Sequence, residues 1–323
     1  SELVFNDQDL AVEAAKLWGR QPQLQRLVVK LNEGFSGEGN AILDLRSLGN
    51  PPSHTARVEA ISQAFPQLRF QGFNETWTNF QTKISHLGAI VEAFVEGEGK
   101  QSPSVQGCIT PMGAVEILST HDQILGGADG HIFLGCQFPA AEGYRHQLQD
   151  LGLEIGKNLA AKGAMERFGV DFIAVQNVDG NWDLHAIEIN LRKGGTTHPF
   201  MTLKFLTNGY YQLEDGLFYS QQGKPKYYVA SDNLQHPQYH GLLPNDLMDI
   251  IAHHRLHFDT STETGTVFHL MGCLSEFGKV GLTSIGNSLV EAQEIYHKVE
   301  EVLNLETQLI DSRSTLPISW KCH

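Results

Sequence analysis

The sequence is short of basic residues, of cysteines and of long apolar runs, and each shortage removes a class of function. Twenty-three Lys and Arg stand against 37 Asp and Glu, a formal net charge of −14 over 323 residues. Phosphate backbones attract basic surfaces, so no nucleic-acid partner is expected. A small anionic ligand is not excluded, because it needs only a local cationic site and metal ions. No apolar stretch approaches the ~20 residues of a membrane helix, and no membrane association is expected. The four cysteines, Cys108, Cys136, Cys273 and Cys322, are widely spaced and contain no C-x-x-C pair. This argues against a zinc site or a disulfide framework and fits a reducing cytoplasm. The opening SELVFNDQDLAVEAAKLWGR reads as an amphipathic helix with acidic residues, not a signal peptide. No Met precedes it, and an upstream segment or domain is expected.

What is present is ordinary globular material, 41% hydrophobic, enough for one large or two medium domains. RLVVKLNEGFSGEGNAILDLRSL predicts strand, glycine loop and strand. Helices are expected near 55–65 and 75–86, then a strand, GAIVEAFVEG, at 88–97. Ser104 to Pro139 reads as several antiparallel strands, and 143–169 carries helix-period apolar positions. A long hairpin, VDFIAVQNVDGNWDLHAIEINLR, follows. The Gly-, Gln-, Asn- and Tyr-rich stretch 207–240 reads as a substrate-side loop region. Helix 244–257, strands near 265–285 and helix 288–303 close the chain, the last opened by an S-x-x-E capping box at Ser288 and Glu291.

Within the hairpin, HAIEINLRKG places Glu188, Asn190 and Arg192 at alternate positions, so strand geometry turns them to one face. Asp179-Gly180 is a two-residue turn signal. With that loop, Val178 pairs with Asn181 and Asp171 lies opposite Glu188, their Cβ atoms about 4.5–5.5 Å apart. Two carboxylates so placed repel. A divalent cation resolves the conflict, and Asp, Glu and Asn oxygens are hard ligands suited to magnesium, or manganese in its place. The competing interpretation is a pair of solvated acids at a frayed hairpin end, and a one-residue slip of register would send Asp171 to the other face.

Lys30 ends an apolar strand, and Gly34, Gly37 and Gly39 follow, with Ser36 among them. Such a loop forms a backbone nest for phosphates or is simply a turn. It is neither a P-loop nor a dinucleotide fingerprint. GAIVEAFVEGEG offers backbone groups to an adenine edge and a carboxylate to a ribose, or is an exposed strand end. Among the remaining groups, His253, His254 and His257 hold an i, i+4 pair without a clear carboxylate partner, and Lys193 and His198 follow Arg192. Cys108, Cys136 and Cys273 read as small core residues.

Lysine strand, glycine loop, Glu-bearing strand and a late hairpin with an acid on one arm and E-x-N on the other occur in the order of the ATP-grasp superfamily. KLNEGFSGEGN, THDQILGG, EINLRKGG and FHLMGCLSEFGKVGLTSIGNS resemble the pheganomycin-type peptide ligase family within it. The broader resemblance spans about 25–205, the closer one runs to about 303. It implies an α+β ATP-grasp fold, two lobes of mostly antiparallel sheet with helices and an ATP cleft between them. The lobes would be 1–97, 98–240 and a C-terminal subdomain 241–310, with a tail at 311–323. The cofactors implied are ATP and magnesium, and the partners are small-molecule or peptide carboxylates and amines. By position, Lys30 with Gly34, Ser36, Gly37 and Gly39 would bind phosphates. Glu92, Ala93, Phe94 and Val95 would meet adenine, Glu98 the ribose. Asp171, Glu188 and Asn190 would hold magnesium, and Arg192 with Lys30 would steady the reacting oxygens. The implied activity is carboxylate–amine ligation through an acyl phosphate. A small-molecule kinase and a non-catalytic nucleotide-binding module are the alternatives.

Overall fold

A computed structural model describes residues 1–33, 39–72, 74–126 and 132–314. It divides into two compact units. The first comprises Ser1–Gly97 with the described residues of Leu125–Phe133, and the second comprises the rest.

The first unit runs α1 (Asp7–Arg20), β1 (Arg26–Leu31), β2 (Asn40–Asp44), α2 (His54–Ala64), β3 (Arg69–Phe70), α3 (Trp77–Leu87) and β4 (Ala89–Ala93). Asn6 caps α1 by accepting from the Asp9 amide, a bond generally worth about 1 kcal/mol. Leu10, Ala14 and Trp18 recur at helical spacing and are buried with Leu27, Val29, Val91 and Phe80 in one core. The four strands form an antiparallel sheet in the order β3-β2-β1-β4. The fourth is shorter than its sequence pattern, ending at Ala93 before the positive-φ glycines Gly97 and Gly99.

The second unit begins with β5 (Pro103–Ile109), β6 (Val115–Gly126), β7 (Ile132–Phe138), α4 (Glu142–Ala161), β8 (Glu166–Gln176) and β9 (Trp182–Asn190). It continues with α5 (Thr197–Thr207), β10 (Tyr210–Gln212), β11 (Leu217–Tyr219), β12 (Pro225–Gln235) and α6 (Pro244–His253). It ends with β13 (Gly265–His269), α7 (Leu274–Phe277), β14 (Lys279–Gly286) and α8 (Leu289–Ser314). One ten-stranded sheet carries the order β10-β11-β12-β7-β6-β5-β8-β9, with β14 pairing both β12 and β13.

Four expectations change here. The region 207–240 is not a loop but three strands. Positive-φ turns at Gly216 and Gly223 account for two of its three glycines. Its Lys226 is fully buried, donating to Asn287 Oδ1 at 2.8 Å and the Glu263 carbonyl at 2.9 Å, with the Glu263 carboxylate 3.5 Å away. The helix expected over 143–169 stops at Ala161, where a turn with Gly163 at φ 85° leads into β8. The S-x-x-E box is half formed: Ser288 Oγ accepts from the Glu291 amide at 3.1 Å, but the Glu291 carboxylate takes the Asn287 amide instead. The closing helix runs further, to Ser314.

The large sheet has two unlike faces. Val105, Phe168, Val170 and Phe172 turn to one side and are buried with Tyr144 and Leu148 of α4. The helix lies close because Gly156 faces the sheet; a Cβ there would come within 2.7 Å of the Phe168 ring. Ser104, Gln106, Arg167, Gly169 and Asp171 turn to the other side.

Candidate active site

The β8–β9 hairpin sets the acids opposite one another, by a route the turn signal does not give. Asn177 donates to the Asn181 carbonyl at 2.8 Å, and Gly180, at φ 87°, donates to the Asn177 carbonyl at 3.0 Å. The loop is therefore three residues long, Val178–Gly180, a turn with a left-handed glycine. This shifts the register by one, so that Phe172 faces Ala186. A bulge between Asp171 and Phe172 then inserts Ile187 on β9 and restores the pairing of Asp171 with Glu188. The two-residue turn was the wrong premise; a second irregularity cancels it.

Asp171 is held from two sides. Gln123 Nε2 of β6 donates to Oδ1 at 2.7 Å, and Asn190 Nδ2 donates to Oδ2 at 3.3 Å. Glu188 is exposed, and its carboxylate makes no hydrogen bond or ion pair among the described residues. The setting is thus more open than an apolar hairpin interior. The donor set fits a hard divalent cation: one carboxylate fixed in orientation, one carboxylate available, and an amide oxygen on Asn190 left over by its bond to Asp171. Among the described residues, no three His, Cys, Asp or Glu gather as a metal cluster, so any cation here draws on Asn190 or on oxygens outside the chain. Arg192 lies two residues past the end of β9, not on the strand, and is exposed, donating to the Lys193 carbonyl at 3.3 Å.

Deeper in the same unit, His121 stands in the row of Ser104 and Asp171. It is fully buried against Phe138, Phe200 and Tyr228, and its Nε2 shares a 2.6 Å hydrogen bond with Tyr228 Oη. Burial pulls its pKa down to about 3, so it stays neutral. Its neighbour Asp122, 5% exposed, anchors the start of α4, accepting from Tyr144 Oη at 2.6 Å and the Ala141 amide at 2.9 Å. Burial, its largest influence, raises that carboxyl's pKa.

In the first unit, β1 and β4 bring Lys30 and Glu92 together as an ion pair of 2.6 Å. Phe94 lies under the Arg26 guanidinium at 3.8 Å, and Arg26 pairs with Glu96. Ala93 ends β4; Phe94 and Val95 follow it, all three half-buried. Gly39 is buried and its carbonyl accepts from the Leu31 amide at 2.9 Å. Gly34, Ser36 and Gly37 lie outside the described residues. Glu98 is exposed and belongs to the second unit.

Of the remaining groups, His254 Nε2 shares a 2.9 Å hydrogen bond with the Glu306 carboxylate, a partner the sequence did not suggest. Cys136 is buried, but Cys108 and Cys273 are only half so.

The profile of the IQCH-like ATP-grasp family matches residues 53–214, half of the chain. The chain belongs to the ATP-grasp family. Residues 246–299 match the PGM1 C-terminal domain. Over 224 residues the chain is 34% identical to L-propargylglycine–L-glutamate ligase of Streptantibioticus cattleyicolor, covering 69% of this chain and 44% of that protein. It therefore spans less than half the length of this curated relative. The ATP-grasp fold is also seen in the ADP complex of purK, N5-carboxyaminoimidazole ribonucleotide synthetase, at a TM-score of 0.50 and 12% identity over 94% of this chain and 66% of that one. Carboxyaminoimidazole ribonucleotide synthase from Aspergillus clavatus, complexed with ATP, superposes at 0.49 with 13% identity, over 94% and 67%. The superfamily resemblance read from the lysine strand and the E-x-N hairpin is borne out, as is the α+β class with antiparallel sheets. No helix of the described residues is long and apolar enough to cross a membrane.

Proposed function

We propose that this chain is the ATP-grasp portion of a ligase that joins a carboxylate to an amine with ATP. The observation that carries the reading is the pairing of Asp171 with Glu188, with Asn190 beside them, in a chain of the ATP-grasp family. Its identity with a ligase named for L-propargylglycine and L-glutamate supports amino acids as the substrate class.

In this reading a substrate carboxylate oxygen attacks the γ-phosphorus of ATP, the bridging bond to the β-phosphate breaks, and ADP leaves. The amine nitrogen then attacks the acyl carbon, the bond to the phosphate oxygen breaks, and the nitrogen loses a proton. The chain's part is positioning and charge balance. Asp171, Glu188 and Asn190 would hold magnesium or manganese, whose charge, when bound, offsets that of the phosphates. Gln123 keeps the Asp171 carboxylate turned correctly. Lys30 and the 34–39 loop are assigned to the phosphates, Glu92–Val95 to the adenine, Glu98 to the ribose, and Arg192 to the reacting oxygens. Lys30 meets phosphate only if its pairing with Glu92 loosens, so Glu92 would set how available that charge is.

The test is to incubate the protein with Mg-ATP, L-glutamate and L-propargylglycine, alone and together, and then with pooled amino acids. Phosphate should appear only when acid and amine are both present, with an amide product of matching mass. Phosphate transfer to a hydroxyl, or nucleotide binding with no turnover for any pair, contradicts the reading.

A further inference from the structure

Arg26 opens β1 and shares a face with Val28 and Lys30, while Leu27, Val29 and Leu31 turn to the helical core of the first unit. Asp44 stands directly opposite it on β2, but Arg46 occupies that carboxylate, its Nε donating to Oδ1 at 2.9 Å. Arg26 reaches toward β4 instead. It holds the residues after that strand at three points: its carbonyl accepts from the Phe94 amide at 3.2 Å, its guanidinium lies 3.8 Å over the Phe94 ring, and its Nε, at 2.9 Å, and Nη2 both donate to the Glu96 carboxylate.

The grip falls where the chain leaves the sheet. Leu27 with Ala93 is the last regular pair of β1 and β4, and Gly97, at φ 143°, follows three residues beyond Phe94. A ligand that meets backbone outside a ladder has to order it, and contacts that order it beforehand raise affinity. A guanidinium fork on a carboxylate and a planar stack on a ring both fix orientation, which an ammonium does not. Arg26 is also four residues, about 13 Å of strand, from Lys30, so it stands well away from the group assigned to the phosphates.

We propose that Arg26 is a positioning residue for the nucleotide: by clamping Phe94 and Glu96 it sets the stretch of backbone that would meet the adenine. The clamp is geometry of the first unit alone. That it serves a nucleotide rests on the assignment of Glu92–Val95 to the adenine.

Calorimetric titration of the full chain with Mg-ADP and Mg-GDP tests this in wild type, Arg26→Lys, Arg26→Gln and Glu96→Gln. A clamp needs both the fork and its carboxylate, so all three variants should bind Mg-ADP about threefold to tenfold more weakly. Arg26→Lys keeps the charge without the fork, and a role in attracting phosphates would spare it. Glu96→Gln leaves the guanidinium charge unpaired, and that same role would make it bind more tightly. Mg-GDP shares the phosphates but not the adenine edge, so its affinity should change less and the preference for ADP should narrow. The melting temperature should scarcely move, because partly exposed pairs contribute little. ADP affinity that is undiminished in Arg26→Lys, increased in Glu96→Gln, or lost equally with that for GDP overturns the clamp and leaves the nucleotide reading in place. No binding of ADP to the wild-type protein removes both.

Discussion

The two faces of the large sheet are built from the same strands and do opposite work. On the side of α4, Val105, Phe168, Val170 and Phe172 are buried without a polar atom between them. On the other side the same strands present Ser104, Gln106, Arg167 and Asp171, and β6 and β9 add His121, Gln123, Glu188 and Asn190. The apolar face supplies stability through area removed from water. The polar face would spend some of that stability to hold charged and unsatisfied groups in place. The contrast teaches that strand parity sorts the residues: Val170 is core, and Asp171, its neighbour on the opposite face, is the residue proposed to hold the cation.

Substitutions on the two faces should therefore separate stability from turnover. The largest effect is expected on the apolar face. Phe172→Ala removes a ring that is 1% exposed and should cost about 3–5 kcal/mol of unfolding free energy, read by denaturant titration, with the activity per folded molecule kept. On the polar face, Glu188→Gln should abolish turnover, a barrier increase of about 2.7–4 kcal/mol or more, with the melting temperature held within a degree or two. Equal loss of stability in both variants would dissolve the contrast.

His121 gives a third test, because it sits on the polar side yet is as buried as the core. Its folded pKa, near 3, lies below the unfolded value of about 6.5, so the unfolded chain binds a proton that the folded chain refuses. Stability should fall as pH drops from about 6.5, by up to ~1.4 kcal/mol per pH unit for this group. His121→Phe should flatten that slope in pH-dependent unfolding curves. His269, lowered to about 4 chiefly by burial, contributes in the same direction and would leave a residual slope. The raised carboxyl of Asp122 works the other way, losing stability as pH rises from its unfolded value through its folded one.

The smallest effect belongs to the first unit. Lys30 and Glu92 are partly exposed, and such pairs generally contribute no more than about 1 kcal/mol. Glu92→Gln should scarcely move the melting temperature. By removing one hold on the Lys30 charge it should tighten nucleotide binding, measured with ADP; weaker binding would argue that the Glu92 side chain, and not only its backbone, contacts the nucleotide.

Much of this was legible in the residues. Period-two alternation and the Asp-Gly turn locate the hairpin, and E-x-N locates the arm proposed to hold the cation. The loop length was not legible, because Asp179-Gly180 signals a two-residue turn and a three-residue turn with a left-handed glycine equally well. Nor was the bulge at Ile187, since an inserted apolar residue in HAIEIN disturbs no obvious pattern. Arg192 was placed on the strand face by extending alternation past the strand's end. Region 207–240 was hidden by composition: its strands β10 and β11 are three residues each, and the polar stretches LEDG and SQQGK separate them from each other and from β12.

The sharpest measurement is a manganese titration of the full chain with ADP present, followed by electron paramagnetic resonance, in wild type, Asp171→Asn and Glu188→Gln. One site of bound manganese in the wild type, weakened about tenfold or more in each variant, is the result expected if the facing acids hold the cation. Unchanged manganese affinity in both variants would contradict it and return the pair to the role of solvated surface acids.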